Sequence, residues 1–248
     1  MSIDPLVHSH FTARAARYNV SSHWVGDAAL GVVTFNALDT RPEHVILDVA
    51  CGTGQVAQVF KGRVARVVGA DITEAMFEQA RAHVDALVVT PGESLPFEDG
   101  TFDRVVCRQG IQFMDDAAAV KEMVRVLKPG GRVLLIHLCA YGRDDRAEYY
   151  EILRLRNEAR RNFYLREDLA VLLRNAGAID VRVDDYVSVE DVDVWSDTGA
   201  IEESAREGIR EVYRHASPAF AAVHAVQVGA RIVDHMLFGL ATGTKAGA

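Results

Sequence analysis

The chain has few of the features that mark secreted, membrane-embedded or metal-binding proteins. Only three cysteines occur in 248 residues, and each lies in or beside an apolar run, at Cys51, Cys107 and Cys139. This placement predicts buried thiols rather than a disulfide framework or a metal site. No apolar run is long enough to span a bilayer, and the first residues lack the basic and apolar stretches of a leader. We therefore expect a cytoplasmic protein without a membrane span and without a bound metal.

Basic charge is also scarce, since 35 acidic residues outnumber 27 basic ones and give a net charge of −8 at pH 7. An acidic chain is a poor default partner for nucleic acid, whose phosphates attract Lys and Arg. We therefore expect a small-molecule substrate and no nucleic-acid partner. The segment 141–166 is rich in Arg and Tyr and is a candidate interface for a homodimer.

The most informative stretch is VILDVACGTG at residues 45–54, where an apolar run ends in an acid, small residues and two glycines. This pattern predicts a buried parallel strand, a tight turn and the start of a helix. Gly52 and Gly54 allow unusual backbone angles and a close approach by a ligand, toward which the first N–H groups of the helix point. The stretch therefore predicts a nucleotide-type site at the carboxyl end of a strand.

The acids beside this turn indicate which nucleotide binds. Residues 52–57 fit the dinucleotide pattern G-x-G-x-x-A, which is weak evidence when it stands alone. Asp48 precedes the glycines, where a carboxylate accepts from a cationic amino group and repels a pyrophosphate. Asp71 ends the second predicted strand, where one carboxylate accepts from both ribose hydroxyls. A ligand with a ribose and an amino-acid cation but no phosphate suits S-adenosylmethionine better than NAD.

Four motifs in order resemble the class I S-adenosylmethionine-dependent methyltransferases, most closely the branch of the ubiquinone- and menaquinone-biosynthesis C-methyltransferases. The motifs are LDVACGTG (47–54), VVGADITEAMFEQARA (67–82), GESLPFEDGTFDRVVC (92–107) and EMVRVLKPGGRVLLI (122–136). The resemblance covers residues 11–138 and fades beyond 139. One departure is Ala50, which stands where the family often has glycine.

The resemblance also implies a set of cofactor contacts. Glu93 would accept from the exocyclic amine of adenine, the backbone N–H of Ser94 would donate to a ring nitrogen, and Arg17 with Tyr18 matches an aromatic-plus-basic pair near the methionine end. Arg108 would face the crevice, either to hold an anionic group or to form an ion pair with a neighbouring acid. The full predicted set is Tyr18, Asp48, Gly52, Gly54, Asp71, Ile72, Met76, Glu93, Ser94, Arg108 and Gln109.

Strand and helix patterns alternate from residue 45 to residue 138, which predicts a parallel sheet with helices on both faces. The expected fold is a doubly wound, mostly parallel, seven-stranded Rossmann-like α/β sheet with an antiparallel last strand. A helical N-terminal cap over 1–40 would precede a methyltransferase domain over 41–248, with lid or substrate insertions at 139–165 and 191–226. We expect strands at 178–189 and 226–240, and a frayed tail over 241–248.

The predicted reaction is in-line transfer of the methyl group of S-adenosylmethionine to a small molecule, with S-adenosylhomocysteine as the product. The acceptor would be a carbon or oxygen of an aromatic, quinol-like or secondary-metabolite substrate. His137 lies near the end of a predicted strand and is a candidate general base, although an imidazole in an apolar strand is often a core residue. Three alternatives remain open: an enzyme of the same fold that catalyses another reaction such as cyclisation, a nicotinamide oxidoreductase, and a catalytically silent binding protein.

Overall fold

The computed structural model describes residues 4–247, and its centre is a twisted sheet with seven main strands. Their order across the sheet is β3-β2-β1-β4-β5-β9-β7, while two short strands extend it, β6 beside β5 and β8 beside β9. The strands are β1 (Val45–Val49), β2 (Arg66–Asp71), β3 (Ala86–Val89), β4 (Phe102–Arg108), β5 (Leu127–Ala140), β6 (Tyr164–Leu165), β7 (Ala178–Asp191), β8 (Gln227–Val228) and β9 (Ile232–Lys245).

The central strands are parallel, and their side chains are buried on both faces of the sheet. β1 pairs in parallel with β2 on one side and with β4 on the other. Its consecutive residues Ile46 and Leu47 are fully buried and enter two different apolar clusters, one on each face. Helices therefore cover both faces, as continuous apolar strands require, and the predicted doubly wound fold is confirmed.

Ten α-helices flank the sheet among the described residues, and none of them is long and apolar enough to cross a membrane. The helices that follow β1 and β2, at residues 57–60 and 77–80, are only four residues long. They are shorter than the sequence patterns at 55–60 and 74–84 predict. The helices are α1 (Pro5–Arg14), α2 (Ala28–Ala37), α3 (Ala57–Phe60), α4 (Phe77–Ala80), α5 (Asp116–Arg125), α6 (Arg146–Arg156), α7 (Arg166–Asn175), α8 (Val192–Ser196), α9 (Glu203–Arg214) and α10 (Pro218–Val223).

β9 is the one main strand that runs against its neighbours, and it lies between β5 and β7. It extends to Lys245, so the predicted fraying of the tail is wrong for the described residues. Glycines are needed here because a Cβ at Gly239 would lie 3.1 Å from the sulfur of Cys139, and one at Gly243 would lie 2.9 Å from the Cβ of Ala178. The small residues that suggested a frayed end instead allow the strand to pack closely.

A chain of hydrogen bonds holds the N-terminal segment over the carboxyl ends of the strands. The hydroxyl of Thr53, in the glycine turn, donates to Asn19 at 2.6 Å, and the amide of Asn19 donates to Gln79 at 2.8 Å. Gln79 in turn donates to the carbonyl of Ala15, just after α1, at 2.8 Å. The turn, the segment after β2 and the end of α1 are thereby fixed relative to one another.

The C-terminal helices α8 to α10 pack around a buried histidine. His224 is fully buried, with Nδ1 2.8 Å from Asp234 and Nε2 3.1 Å from Asp145. Tyr213 donates to the second oxygen of Asp234 at 2.5 Å, and the ring of Phe220 stacks on the imidazole at 4.0 Å. Burial alone would lower the pKa of His224, but its hydrogen bonds to the two carboxylates raise that pKa above its ordinary value.

We predict that His224→Gln destabilises the protein by about 3–5 kcal/mol near pH 6, because it leaves two buried acids without a cation. A histidine whose pKa is raised in the folded state stabilises the protein fully at a pH below its unfolded-state pKa of about 6.5. This contribution is lost as the pH rises through the folded-state pKa. The gap in urea unfolding free energy between the wild type and the variant should therefore narrow above neutral pH. A gap that stays constant with pH would contradict a charged His224, and the exposed His215→Gln is the matched control.

Candidate active site

A cavity of about 330 Å³ opens where β1, β2 and β4 end, and α1 forms its roof. The carboxyl ends of parallel strands are the usual place for a ligand site in this class of sheet, and the volume lies within the usual range for small-molecule sites. We call it the main cavity. Its lining residues are Asp4, Val7, Phe11, Tyr18, Ala50, Gly52, Asp71, Ile72, Thr73, Met76, Pro91, Gly92, Glu93, Gln109, Gly110, Phe113, Met114, Asp115 and Arg161.

Asp71 lines the main cavity, and backbone hydrogen bonds hold its carboxylate in place. Its Oδ2 accepts from the backbone N–H of Gly52 at 2.9 Å, and its Oδ1 accepts from that of Thr73 at 2.8 Å. A carboxylate has about four acceptor positions, so these two bonds leave capacity for a ligand. Burial raises the pKa of Asp71, while the bonds from Thr73 and Gly52 oppose that rise.

The two glycines of the turn have different roles. Both have positive φ angles, 51° at Gly52 and 81° at Gly54, which favour glycine. A Cβ on Gly52 would meet no atom within 4 Å, whereas one on Gly54 would lie 3.1 Å from the Cα of Ala80. Gly52 therefore keeps space open in the main cavity, and Gly54 allows α4 to pack against the turn.

Two other residues of the wall hold left-handed backbone angles without being glycine. Ala50 has a φ of 56° and Gln109 a φ of 55°, a conformation that costs on the order of 1–2 kcal/mol per residue. The methyl group of Ala50 fits because residue 110 is glycine, where an added Cβ would lie 2.5 Å from it. Alanine is thus tolerated at the position where the resembled family often has glycine.

Asp48 lies behind the main cavity rather than in its lining. It is 1% exposed, and neither of its carboxyl oxygens has a hydrogen-bond partner among the described residues. Burial raises the pKa of Asp48 to about 7, although the nearby charge of Arg108 lowers it in part. A buried carboxyl without a partner carries a desolvation cost that a cationic ligand group would offset.

The predicted adenine-facing loop is only partly on the cavity wall. Glu93 lines the main cavity and accepts from the backbone N–H of Asp115, at the start of α5, at 2.9 Å. Ser94 is exposed, does not line it, and donates its backbone N–H to the carbonyl of Pro91 at 3.2 Å. The amide predicted to read adenine is therefore engaged within the loop itself.

The structure brings seven of the eleven predicted cofactor contacts to one cavity. Asp48, Gly54, Ser94 and Arg108 lie outside its lining, and the candidate base His137 does too. The residues that do line it are Tyr18, Gly52, Asp71, Ile72, Met76, Glu93 and Gln109. The roles of all these residues stay predictions.

Arg108 and His137 are both buried, and both lie outside the lining of the main cavity. Arg108 donates to the carbonyls of Val25 at 3.2 Å and Trp24 at 3.5 Å, and it forms no ion pair within the described part of the chain. His137 is 1% exposed, and its Nδ1 lies 3.1 Å from Oε1 of Gln112. Burial lowers the pKa of His137 well below its ordinary value, so the ring is neutral near pH 7.

The sequence motifs missed the residues of α1 and of the segment after α6. Phe11 enters the main cavity and meets Phe113 edge to face at 5.0 Å between ring centres. Of the predicted Arg17 and Tyr18 pair, Tyr18 lines the main cavity, whereas Arg17 lies outside its lining and forms an ion pair with Asp197 at 2.7 Å. Arg14 stacks over the ring of Tyr18 at 5.1 Å. A helical spacing of three or four residues could have suggested Arg14, since it lies one turn from both Phe11 and Tyr18.

Comparison with protein families matches residues 47–135 to a model described as a methyltransferase domain. This range contains most of β1, all of β2 to β4, most of β5 and most of the wall of the main cavity. Over these residues the chain is similar to methyltransferase domains. The family resemblance of the motifs is thereby confirmed over this range.

Curated relatives of the methyltransferase domain share about a third of its residues. The uncharacterised methyltransferase YcgJ of Bacillus subtilis (strain 168) is 34% identical over 134 residues, which are 51% of this chain and 53% of YcgJ. A demethylmenaquinone methyltransferase of Bacillus cereus (strain AH187) is 34% identical over 144 residues, 52% of this chain and 61% of that protein. The chain therefore spans just over half the length of the curated relatives it matches.

Solved structures show the same fold over most of the chain. The crystal structure of YcgJ superposes with a TM-score of 0.81 at 22% identity, covering 90% of this chain and all of YcgJ. The crystal structure of the cyclase SpnF superposes with a TM-score of 0.55 at 21% identity, covering 89% of this chain and 81% of that one. These structures show the same Rossmann-like α/β fold for this chain, and a cyclase is among the proteins that share it.

We predict that Asp48→Asn stabilises the protein on the order of 3 kcal/mol at pH 8, because the wild type must bury an ionised acid there. An acid whose folded-state pKa is raised stabilises only below its unfolded value of about 3.9. Its contribution is lost as the pH rises toward about 7. The gain from Asp48→Asn in urea unfolding should therefore grow between about pH 4 and pH 7 and then level off. A gain that is independent of pH, or a loss at pH 8, would contradict the unpartnered carboxyl.

Proposed function

We propose that this protein transfers the methyl group of S-adenosylmethionine to a small-molecule acceptor, with S-adenosylhomocysteine as the product. The observation that carries the proposal is the pairing of a matched methyltransferase domain with Asp71 and Gly52 on one cavity wall. The cofactor would supply a methyl group already activated by a sulfonium, so the chain needs to align the acceptor and keep water out.

The residues of the main cavity fit the parts of this cofactor. Asp71 has acceptor capacity left for the ribose hydroxyls, and Gly52 leaves room beside it. Ile72 and Met76 offer apolar surface for the adenine, and Glu93 has a second carboxyl oxygen for the exocyclic amine. Asp48 lies behind this lining, and the negative charge of its unpartnered carboxyl would favour the cationic amino group of the methionine part.

The acceptor would approach from the side of the cavity formed by α1 and the segment after β4. Phe11 and Phe113 give this side an aromatic surface, which supports an aromatic or quinol-like acceptor. The similarity to a demethylmenaquinone methyltransferase points to the same class. We propose carbon or oxygen as the methylated atom, and a general base is needed only where the acceptor must lose a proton.

A non-methyl-transfer reaction on the same fold is the second candidate. The likeness in fold to the cyclase SpnF favours this candidate. An enzyme of this kind would bind the same cofactor without consuming it. Turnover separates the two: S-adenosylhomocysteine should accumulate in proportion to product under the first proposal and not under the second. A homodimer and a cytoplasmic location stay predictions from the sequence.

We predict that Asp71→Ala weakens the binding of S-adenosylhomocysteine about 10- to 100-fold in calorimetry, since it removes charge-assisted hydrogen bonds to the ribose. The wild type should bind S-adenosylmethionine and S-adenosylhomocysteine but not NAD. The control is Asp184→Ala, which removes an exposed acid on the edge strand β7. Wild-type binding of NAD alone, or unchanged affinity in a folded Asp71→Ala, would refute the assignment of the cavity.

A further inference from the structure

Four arginines are buried near the main cavity and form no ion pair with an acid of the described chain. Arg14, Arg108, Arg156 and Arg160 are 3%, 8%, 8% and 9% exposed. None of them belongs to an ion pair among residues 4–247. Arg17, Arg166 and Arg210, which lie nearer the surface, do form ion pairs with Asp or Glu. Burial lowers the pKa of each of the four, and that of Arg160 to about 10. All four still carry a positive charge near pH 7.

Three of these arginines surround one small cavity that adjoins the main cavity. Arg14, Arg156 and Arg160 line a space of about 20 Å³, which we call the arginine pocket. The two cavities have four lining residues in common: Phe11, Tyr18, Gln109 and Phe113. One ligand could therefore extend from the main cavity into the arginine pocket.

The guanidinium groups of the pocket are held by few and long hydrogen bonds. Arg14 has a single bond, from Nη2 to the hydroxyl of Ser21 at 3.3 Å. Arg160 donates to the carbonyl of Asn162 at 3.5 Å and to Oε1 of Gln109 at 3.4 Å. Only Arg156 has bonds of ordinary length, to the carbonyl of Trp195 at 2.9 Å and to the hydroxyl of Ser22 at 3.2 Å. Most of their N–H groups are thus available to a ligand.

Every side-chain atom of this lining that is buried without a partner is a nitrogen donor. The atoms are Nε of Arg14, Nε1 of Trp24, Nε2 of Gln109 and Nδ2 of Asn157. Buried donors normally have acceptors. A concentration of unpaired N–H groups around one space indicates that an acceptor-rich group belongs there.

No Asp or Glu lines the arginine pocket. Glu190 is the carboxylate whose charge acts on Arg156, and its oxygens already accept hydrogen bonds from other groups. Glu190 accepts from the backbone N–H groups of His23 at 2.9 Å and Trp24 at 3.1 Å, and from the hydroxyl of Ser188 at 2.5 Å. Burying several like charges without a counter-charge destabilises a fold. An anionic ligand would offset that cost.

We propose that the arginine pocket binds an oxyanion of the methyl acceptor, a carboxylate or a phosphate, and so orients its reacting atom toward the main cavity. This inference rests on the proposed function, whose substrate class it narrows. Planar guanidinium groups match the oxygens of both anions bidentately. The acceptor is then an aromatic or quinol-like compound with an acidic group, rather than a neutral quinol.

The pocket must widen to admit such a group. A space of about 20 Å³ holds about one water molecule. Phe11 and Arg14 form part of its wall and both belong to α1, whose first turn is held by an exposed ion pair between Asp4 and Arg161 at 2.6 Å. A movement of the first turn of α1 would therefore widen both cavities, although hydrogen bonds hold the end of this helix.

Calorimetric titration of the full chain, saturated with S-adenosylhomocysteine, tests the site with three probes: benzoate, phenyl phosphate and the neutral benzyl alcohol. We expect at least one anion to bind about tenfold more tightly than the alcohol, as one charge-assisted hydrogen bond implies. A preference for benzoate assigns a carboxylate, and a preference for phenyl phosphate assigns a phosphate. Equal binding of all three probes, or no binding of either anion, overturns the inference.

Arg14→Met distinguishes a ligand site from a structural arginine. It should weaken binding of the preferred anion about tenfold or more and, because it removes an unneutralised buried charge, raise the unfolding temperature without the anion. Arg17→Met, three residues on at an exposed ion pair, is the matched control and should leave anion binding unchanged. Arg160→Gln is the second variant should Arg14→Met not fold. Unchanged anion affinity in a folded variant refutes the site.

The same titrations separate this inference from the proposed function. Binding of S-adenosylhomocysteine without binding of either anion would overturn the arginine pocket alone. Binding of an anion by a protein that does not bind S-adenosylhomocysteine would overturn the proposed function and leave the anion site in place.

Discussion

The candidate site depends on one carboxylate that joins two turns. Asp71 accepts from the backbone of Gly52, after β1, and from that of Thr73, after β2, at 2.9 and 2.8 Å. These bonds fix the edges of adjacent strands relative to each other and aim the remaining acceptor capacity of the acid into the main cavity. The strained angles at Ala50 and Gln109 are maintained around the same opening, which is where folded proteins tend to store strain for function.

Charges of opposite sign are buried on the two sides of this opening. Asp48 and Asp71 lie on the side that fits the cofactor, while Arg14, Arg156 and Arg160 lie on the side that fits the acceptor. Each group carries a desolvation cost in the free chain. Ligands with complementary charges would relieve it and stabilise the folded state by linkage. Binding energy and specificity then have the same electrostatic origin.

The sequence predicted the sheet and the cofactor side because both depend on local patterns. Apolar runs beside Asp48 and Asp71 define strands, and the alternation of strands with helices predicts a parallel sheet. The acceptor side depends on contacts between distant segments, so no local pattern could place Arg14 beside Arg160. The same limit explains the tail, where the packing that requires Gly243 involves Ala178, 65 positions earlier in the chain.

Hydrogen exchange of the backbone amides, with and without S-adenosylhomocysteine, tests most directly whether the main cavity holds the cofactor. The account predicts slower exchange on binding in the turns after β1, β2 and β4, at residues 50–54, 71–76 and 109–114, and in α1. The distant edge strand β7 should exchange at an unchanged rate. Protection confined to other segments, or no protection at saturating ligand, would contradict the assignment of this cavity.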